Sequence, residues 1–281
     1  MLEEYRNRVY RCTRCGVCRA KYDYFDQIFR VCPAGEHSAA FWTNFPSGRI
    51  AVAREILEGN LTYLDAPVEA IYDCTLCANC REVCGAMDME TLTPLVDHPA
   101  IIKAMRADMF AAGVEIPEGV IRFGEAVERT HNIFGAPAGE RASWWLPELK
   151  VEKDADTVYF PGCLASYRVT EIAQATARIL NNLGIKFSIL GEKEHCCGDP
   201  LIMTGQLPLA KEVARYNWEH LKDKRIITSC AGCYRCFEEE YPKLLGEECK
   251  LNVVHITELL TELIEDGRIK FKGEIKGKVT Y

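Results

Sequence analysis

The sequence predicts an α+β protein made of two unlike halves. A helical N-terminal half is laid around cysteine loops, and an α/β half with a parallel sheet follows. Three observations carry this reading. Two cysteine runs share one spacing, Cys12-Thr13-Arg14-Cys15-Gly16-Val17-Cys18 and Cys74-Thr75-Leu76-Cys77-Ala78-Asn79-Cys80, and helix-periodic segments surround them. After Asp156 short apolar runs alternate with segments of helical length, the pattern of a parallel sheet covered by helices. Five further cysteines fall just past predicted strands, and in such sheets ligands bind beyond the carboxyl ends of the strands.

Size and charge narrow the choices. A chain of 281 residues has room for about two domains, and an apolar fraction of 48% can fill a core in each. The net charge of −7 gives no electrostatic footprint for nucleic acid. No apolar run approaches the ~18 residues of a transmembrane helix. Met1-Leu2-Glu3-Glu4-Tyr5-Arg6 has no apolar signal core. The expectation is a cytoplasmic protein, able to sit on the inner face of the membrane only through a partner. Fifteen cysteines in tight x2-spaced clusters then read as metal ligands or redox groups rather than disulfides.

In chain order, residues 2–11 read as a short helix leading into the first run. Cys32-Pro33 follows, after a gap expected to hold an inserted helix over 26–31. A periodic run through Ile50, Val52, Ala53, Ile56 and Leu57 predicts a helix with Ser47 as its N-cap and Gly59-Asn60 as its stop. The second run ends in Cys84-Gly85. One plan is therefore written twice: three cysteines at i, i+3 and i+6, then a distant fourth before a chain-breaking residue. A 4Fe-4S cube has four corners. A tight loop can wrap three of them, and in two-cluster ferredoxins the fourth cysteine of each run ligates the other cube. This pairs Cys12, Cys15, Cys18 with Cys84, and Cys74, Cys77, Cys80 with Cys32, on two cubane clusters. Zinc is the competing reading, but zinc sites take two ligands from each of two turns, not three from one. Further on, 94–111 and 118–130 read as helices, with Met105 and Met109 as core filler. Residues 132–156 read as a linker that Trp144-Trp145 would pack down.

The second half predicts strands at 157–160, 185–190, 225–228 and 251–255. Helices are predicted at 167–183, 207–222, 234–245 and 257–266. After the second strand stands Glu194-His195-Cys196-Cys197-Gly198-Asp199-Pro200. Bonding adjacent cysteines to each other would close a strained ring, since a disulfide wants its Cα atoms ~5.5 Å apart. The doublet reads instead as two ligands aimed at one centre. Between Cys163 and Cys196 lie 32 residues, and another 32 lie between Cys197 and Cys230. With Cys233, this makes five sulfurs from three loops.

The pattern C-x32-CC-x32-C-x2-C, headed by Tyr159-Phe160-Pro161-Gly162-Cys163 and carrying Cys196-Cys197-Gly198 in its middle, resembles the CCG (cysteine-rich) domain. That domain occurs in heterodisulfide reductase catalytic subunits and in related iron–sulfur subunits such as those of glycolate oxidase. In several such proteins a two-cubane, ferredoxin-like domain comes first, as here. The resemblance implies an α-helical ferredoxin-like domain at 1–131, a linker at 132–156 and a CCG domain at 157–276. Residues 277–281 resemble the opening strand of a second repeat that the sequence does not continue. It also implies that Cys163, Cys196, Cys197, Cys230 and Cys233 hold a noncubane 4Fe-4S cluster, one iron of which carries extra thiolate ligation. The partners it implies are other redox subunits: a flavoprotein, a hydrogenase-like subunit or a membrane cytochrome or quinone subunit. A disulfide is the candidate substrate.

His195 is the candidate catalytic residue. Beside the doublet, with an ordinary pKa near 6.5, it suits protonation of a leaving thiolate or a hydrogen bond to cluster sulfur; a structural histidine is the alternative. Cys236 extends Cys230-x2-Cys233 and reads as a third ligand of that loop or as a buried helix-face thiol, and Cys249 as incidental. Asp199 reads as a turn cap, Tyr167 and Arg168 as pocket residues, and His255 as structural. No G-x-G-x-x-G follows a strand and no Walker A run occurs, so no nucleotide or flavin site is expected in this chain. The sequence thus points to an iron–sulfur oxidoreductase subunit passing electrons through two cubanes to a five-cysteine cluster. The alternatives are an electron-transfer subunit wiring a flavin dehydrogenase to a quinone or another carrier, and a zinc-stabilised scaffold.

Overall fold

Helix-periodic apolar residues gather into two separate cores. The computed structural model describes residues 1–22, 28–270, 273 and 276–278. The chain forms two compact units, Met1–Glu125 with Pro200–Ala210, and Ala126–Asp199 with Lys211–Tyr281.

The first unit is helical. Helix Pro46–Leu57 opens on Pro46, whose ring presets φ for a first helical position, so Phe45 and not Ser47 is the N-cap. Ser47 lies in the first turn, and its Oγ accepts the Trp42 Nε1–H at 3.1 Å. The helix stops where expected, with Gly59 at φ +78°. Helix His98–Ala111 is capped by Asp97, which accepts from the Ala100 N–H at 3.2 Å. Ile101, Ile102, Met105 and Met109 of that helix meet Leu2, Ile50 and Ile71 in the core. The helix predicted at 118–130 is found at Glu118–Thr130.

The gap before Cys32 does not hold the expected helix. Strand β1, Ala20–Tyr22, pairs antiparallel with β2, Ile28–Arg30. Of the predicted helix 26–31, residues 26–27 lie outside the described residues and the next three are strand. A β-branched residue beside an aromatic, with a ladder partner in reach, favours extended chain. The ladder continues into Val31 N–H to Arg19 O at 3.0 Å, which draws the chain after Cys18 to the chain before Cys32.

The second unit holds a three-stranded parallel sheet, with β3 Thr157–Phe160, β4 Arg225–Thr228 and β5 Asn252–His255 in that order. The strand expected at 185–190 is reduced to one parallel bridge, Val158 with Ser188. The segment is bounded by Gly184 and Gly191, both at positive φ. Its link to β3 is the pair of bonds that Ser188 exchanges with Tyr159 and Thr157, each 2.9 Å, while Phe187 O accepts from the Glu152 N–H at 2.9 Å. The helix expected at 167–183 is two, Gly162–Tyr167 and Thr170–Asn182. The one expected at 234–245 runs Ala231–Arg235, a π-turn Cys236–Glu240, then Tyr241–Leu245. Helices Leu207–Leu221 and Ile256–Glu265 lie close to their predicted spans. Trp144 is 1% exposed and packs edge-on against Tyr159 in the core of this unit, so residues of 132–156 belong to its packing. Residues 279–281, in the stretch read as a second repeat, lie outside the described residues.

Candidate metal centres

The two cysteine runs share a backbone as well as a spacing. In each, the residues on both sides of the middle cysteine take positive φ: Arg14 and Gly16 around Cys15, Leu76 and Ala78 around Cys77. Three of these four have a Cβ, and the left-handed conformation costs such residues about 1–2 kcal/mol apiece. Strain of this kind persists where the surroundings over-determine it, commonly at functional sites. Here it turns three thiols of a seven-residue loop toward one space.

Those spaces are two cavities. Cys32, Cys74, Cys77 and Cys80 line one, about 350 Å³ of atom-free space that opens to solvent. Cys12, Cys15, Cys18 and Cys84 line the other, about 290 Å³. Each gathers a triplet and the fourth cysteine that follows the other triplet. Burial pushes up the Cys18, Cys74, Cys80 and Cys84 thiols, so metal uptake there releases protons. Among the described residues no group of three or more His, Cys, Asp or Glu side chains is gathered to hold one metal ion. Four thiols around the walls of a larger space suit a multi-iron cube. Two buried nitrogens support that fit. Arg49 Nη2 and His98 Nδ1 belong to side chains lining the two cavities, and neither has a protein hydrogen-bond partner.

In the second unit the doublet, Cys163, Cys230 and Cys233 form one continuous set of sulfurs. The thiols lie within hydrogen-bonding reach of one another in series, Cys163 with Cys196, Cys196 with Cys197, Cys197 with Cys233 and Cys233 with Cys230, and the Cys236 thiol meets Cys197 in the same way. The bond to Cys196, then burial, holds the Cys163 thiol well above the ordinary range. Bonds to Cys197 and Cys230, then burial, do the same for Cys233. The bond from Cys233 brings Cys230 down to about 6 against its burial, so one thiol of the set is a ready thiolate near neutral pH.

Backbone and side chains fix these sulfurs closely. Gly162 starts its helix at φ +76°, and a Cβ there would lie 2.8 Å from Cys233 Sγ. His131, at φ +60°, accepts the Cys196 N–H at 2.7 Å. Asn217 Nδ2 donates to Cys196 O at 2.8 Å, and Tyr241 O–H to Cys197 O at 2.9 Å. Cys236 is fully buried, and its thiol donates to Cys197 O at 3.2 Å. Its sulfur also meets that of Cys197, which makes it a sixth member of the connected set, presented by the π-turn.

Sequence reasoning missed the charged supports. Arg141 and Glu194, both buried, form an ion pair of 2.6 Å. The same Glu194 oxygen accepts the Gly162 N–H at 3.1 Å, and Arg141 Nη1 reaches Cys163 Sγ at 3.5 Å. Arg141 stands in the predicted linker with no local pattern to mark it. On the other flank Arg235 pairs with Asp199 and Glu240, so Asp199 holds a cation in addition to opening a helix.

His195 is sandwiched. Its ring stacks on His131 at 3.8 Å and on Tyr216 at 3.6 Å, and Tyr216 stacks on His220. Burial, then the neighbouring His131 and Arg141, lowers its pKa to about 4, so the ring is neutral at pH 7. Tyr167 O–H donates to Pro137 O, and Arg168 lies over the Phe134 ring. His255 caps helix Ile256–Glu265 in a capping box with Glu258. Cys249 is buried, with its thiol near Leu245 O.

Comparison with known proteins follows the same division. Residues 157–238 match the cysteine-rich (CCG) domain family, and residues 8–86 match the 4Fe-4S dicluster domain family. The chain is 34% identical over 96% of its length to a subunit of the dihydromethanophenazine:CoB–CoM heterodisulfide reductase of Methanosarcina mazei, and it spans 66% of that protein. With the corresponding reductase subunit of Methanosarcina barkeri it shares 38% identity over 75% of its length, spanning 51% of the relative. An EtfAB:quinone oxidoreductase of Syntrophomonas wolfei is 29% identical over 82% of the chain, which spans 33% of that protein. The chain therefore spans less than two thirds of these relatives. No solved structure matches it. Among the described residues no helix is long and apolar enough to cross a membrane. A dicluster domain followed by a cysteine-rich domain, with relatives among heterodisulfide reductase subunits, places the chain in the family of CCG-domain iron–sulfur oxidoreductases to which those subunits belong.

Proposed function

We propose that the chain is an electron-transfer subunit of a heterodisulfide-reductase-like complex, with two cubane sites and one noncubane site. Cys12, Cys15, Cys18 and Cys84 would hold the first 4Fe-4S cubane, and Cys32, Cys74, Cys77 and Cys80 the second. Cys163, Cys196, Cys197, Cys230 and Cys233 would hold the noncubane cluster. Iron–sulfur clusters take up and release single electrons at potentials that the surrounding charge and hydrogen bonds set. The observation that carries the reading is the connected set of sulfurs from three loops, the five candidate ligands with Cys236 joined to Cys197, backed by Arg141 and Glu194. Five thiolates exceed the four corners of a cube, which suits a cluster with additional thiolate on one iron. His195, neutral in its stack at pH 7, can offer a ring N–H as a hydrogen-bond donor beside Cys196 but carries no acidic proton for a leaving thiolate.

A disulfide accepting electrons at the five-sulfur site is the substrate reading that the heterodisulfide reductase relatives favour. The quinone oxidoreductase relative favours a second reading, in which the chain hands electrons on between a flavoprotein and a quinone-linked partner without substrate chemistry. Anaerobic purification followed by iron and acid-labile sulfide analysis tests the cofactors. The expected yield is about twelve irons per chain, three clusters of four; zinc without labile sulfide would refute the reading. Reduction of a thiol heterodisulfide with an artificial donor separates the two functions. Turnover supports the first, and intact clusters without turnover support the second.

A further inference from the structure

We propose that Arg49 and Arg106 make the two cubane sites electrostatically unequal, so that the site of Cys32, Cys74, Cys77 and Cys80 holds the first electron. The proposal rests on a cubane at each cavity.

Arg49 is fully buried in helix Pro46–Leu57. Its Nε donates to Ala70 O at 2.6 Å, its Nη1 lies 3.8 Å from Cys32 Sγ, and its Nη2 has no protein partner. Arg106 is 4% exposed and donates to Ile71, Tyr72, Cys74 and Met203 carbonyls at 2.6–3.0 Å. Among the described residues neither guanidinium forms an ion pair with a carboxylate. Both converge on the segment that leads into the Cys74 loop.

A guanidinium does not give up its proton in a protein, and a buried charge without a counter-charge is strongly unfavourable. Carbonyl oxygens satisfy Arg106 as a donor but do not neutralise it, and the exposed Asp73 carboxylate acts on it through space without forming an ion pair. Four thiolates around a cube would supply the missing negative charge, and the free Nη2 of Arg49 belongs to a residue lining that space. One electron from a one-electron donor adds one negative charge to a site. Two poorly screened cations beside that site favour the added charge.

The other cavity lacks such charge. Its lining, Ser47 and His98 besides the cysteines and their neighbours, includes no arginine or lysine. Arg14, next to Cys15, is exposed to screening water. Ser47 does hydrogen-bond Cys18, but a neutral donor acts more weakly than a buried cation. Cys32 also accepts the Gly35 N–H at 3.3 Å, so the neutral donors on the two sides offset each other and the guanidiniums decide.

The test is an EPR-monitored redox titration of the whole chain with dithionite. Two cubane midpoints are expected. Cys77→Ser should perturb the higher-potential signal, and Cys15→Ser the lower. Arg49→Met should lower only the higher midpoint, by at least about tenfold in the reduction equilibrium, about 59 mV for a one-electron couple. Coincident midpoints overturn the proposal, as does a higher-potential signal that responds to Cys15→Ser. So does an Arg49→Met protein with both signals present and the midpoint unmoved. If Arg49→Met loses its cluster, the two Cys→Ser variants decide. Absence of cubane signals from the unmodified chain would instead refute the cubane assignment itself.

Discussion

Arg141 and Glu194, each with a side chain 2% exposed, tie the Gly162 turn, Cys163 and the doublet segment together. Removing one member of such a pair leaves a buried charge alone. Arg141→Leu should destabilise the second unit by about 3–5 kcal/mol in denaturant unfolding, and the double variant Arg141→Leu/Glu194→Leu should recover part of that loss. Equal instability of the single and double variants would show that packing, not charge, is at stake. The supports differ from the cysteines in how visible they are in sequence. Candidate ligands come in tight runs or in matched places around them, so all thirteen stood out, Cys32, Cys84 and Cys163 through their position relative to the runs and the doublet. Arg49, Arg106 and Arg141 meet partners 17 to 97 residues away, and no local pattern encodes such a meeting. Inside a helical stretch an arginine reads as a solvated face, and only burial exposes its role.

The strand–turn–helix at Cys163 is the most constrained element. Strand β3 ends at Phe160, and the chain must reverse within Pro161-Gly162 to begin a helix carrying Cys163. Gly162 meets two demands at once, a left-handed φ and a clearance of 2.8 Å to Cys233 Sγ for any added Cβ. Gly162→Ala should therefore cost at least about 1–2 kcal/mol in stability from conformation alone. It should also abolish or broaden the five-sulfur EPR signal while the cubane signals persist; an unchanged signal would show that Cys233 is free to move. Strands were legible where an apolar run also finds a full ladder partner, as at 157–160 and 225–228. Where pairing decided against the local pattern, the reading failed. The segment 185–190 lacks ladder bonds beyond Ser188, and the β1–β2 hairpin has three residues a side. The π-turn at Cys236–Glu240 adds a residue to a helical turn, which a 3.6-residue period cannot signal.

At the scale of the whole molecule, the compact units do not follow the order of the sequence. Residues 200–210, directly after the doublet, belong to the first unit. There Met203 O accepts from Arg106 Nη1 at 2.7 Å, Thr204 O accepts from Tyr72 O–H at 3.1 Å, and Gln206 Nε2 donates to Val120 O at 2.9 Å. Gly205, at φ +88°, lies where an added Cβ would come within 2.4 Å of the Arg106 backbone. A fragment of residues 1–131 should thus be less stable than the same fragment with 200–210 joined by a flexible linker. Each buried donor left without its acceptor costs about 1–3 kcal/mol. Equal melting temperatures of the two fragments would contradict the assignment of that segment. Composition and spacing cannot reveal such an interleaving, because the tie is made by carbonyls that every residue carries.

The placement of 200–210 also sets a timetable. A chain emerging from the ribosome at roughly 5–20 residues per second folds its N-terminal domain first when that domain is contiguous. Here the eight-cysteine unit is incomplete at residue 125 and stays so until residue 210 has been made. By then Cys163, Cys196 and Cys197 have been synthesised as well. The first unit is therefore completed only after the doublet segment has been made, and its closure follows the synthesis of Cys163, Cys196 and Cys197.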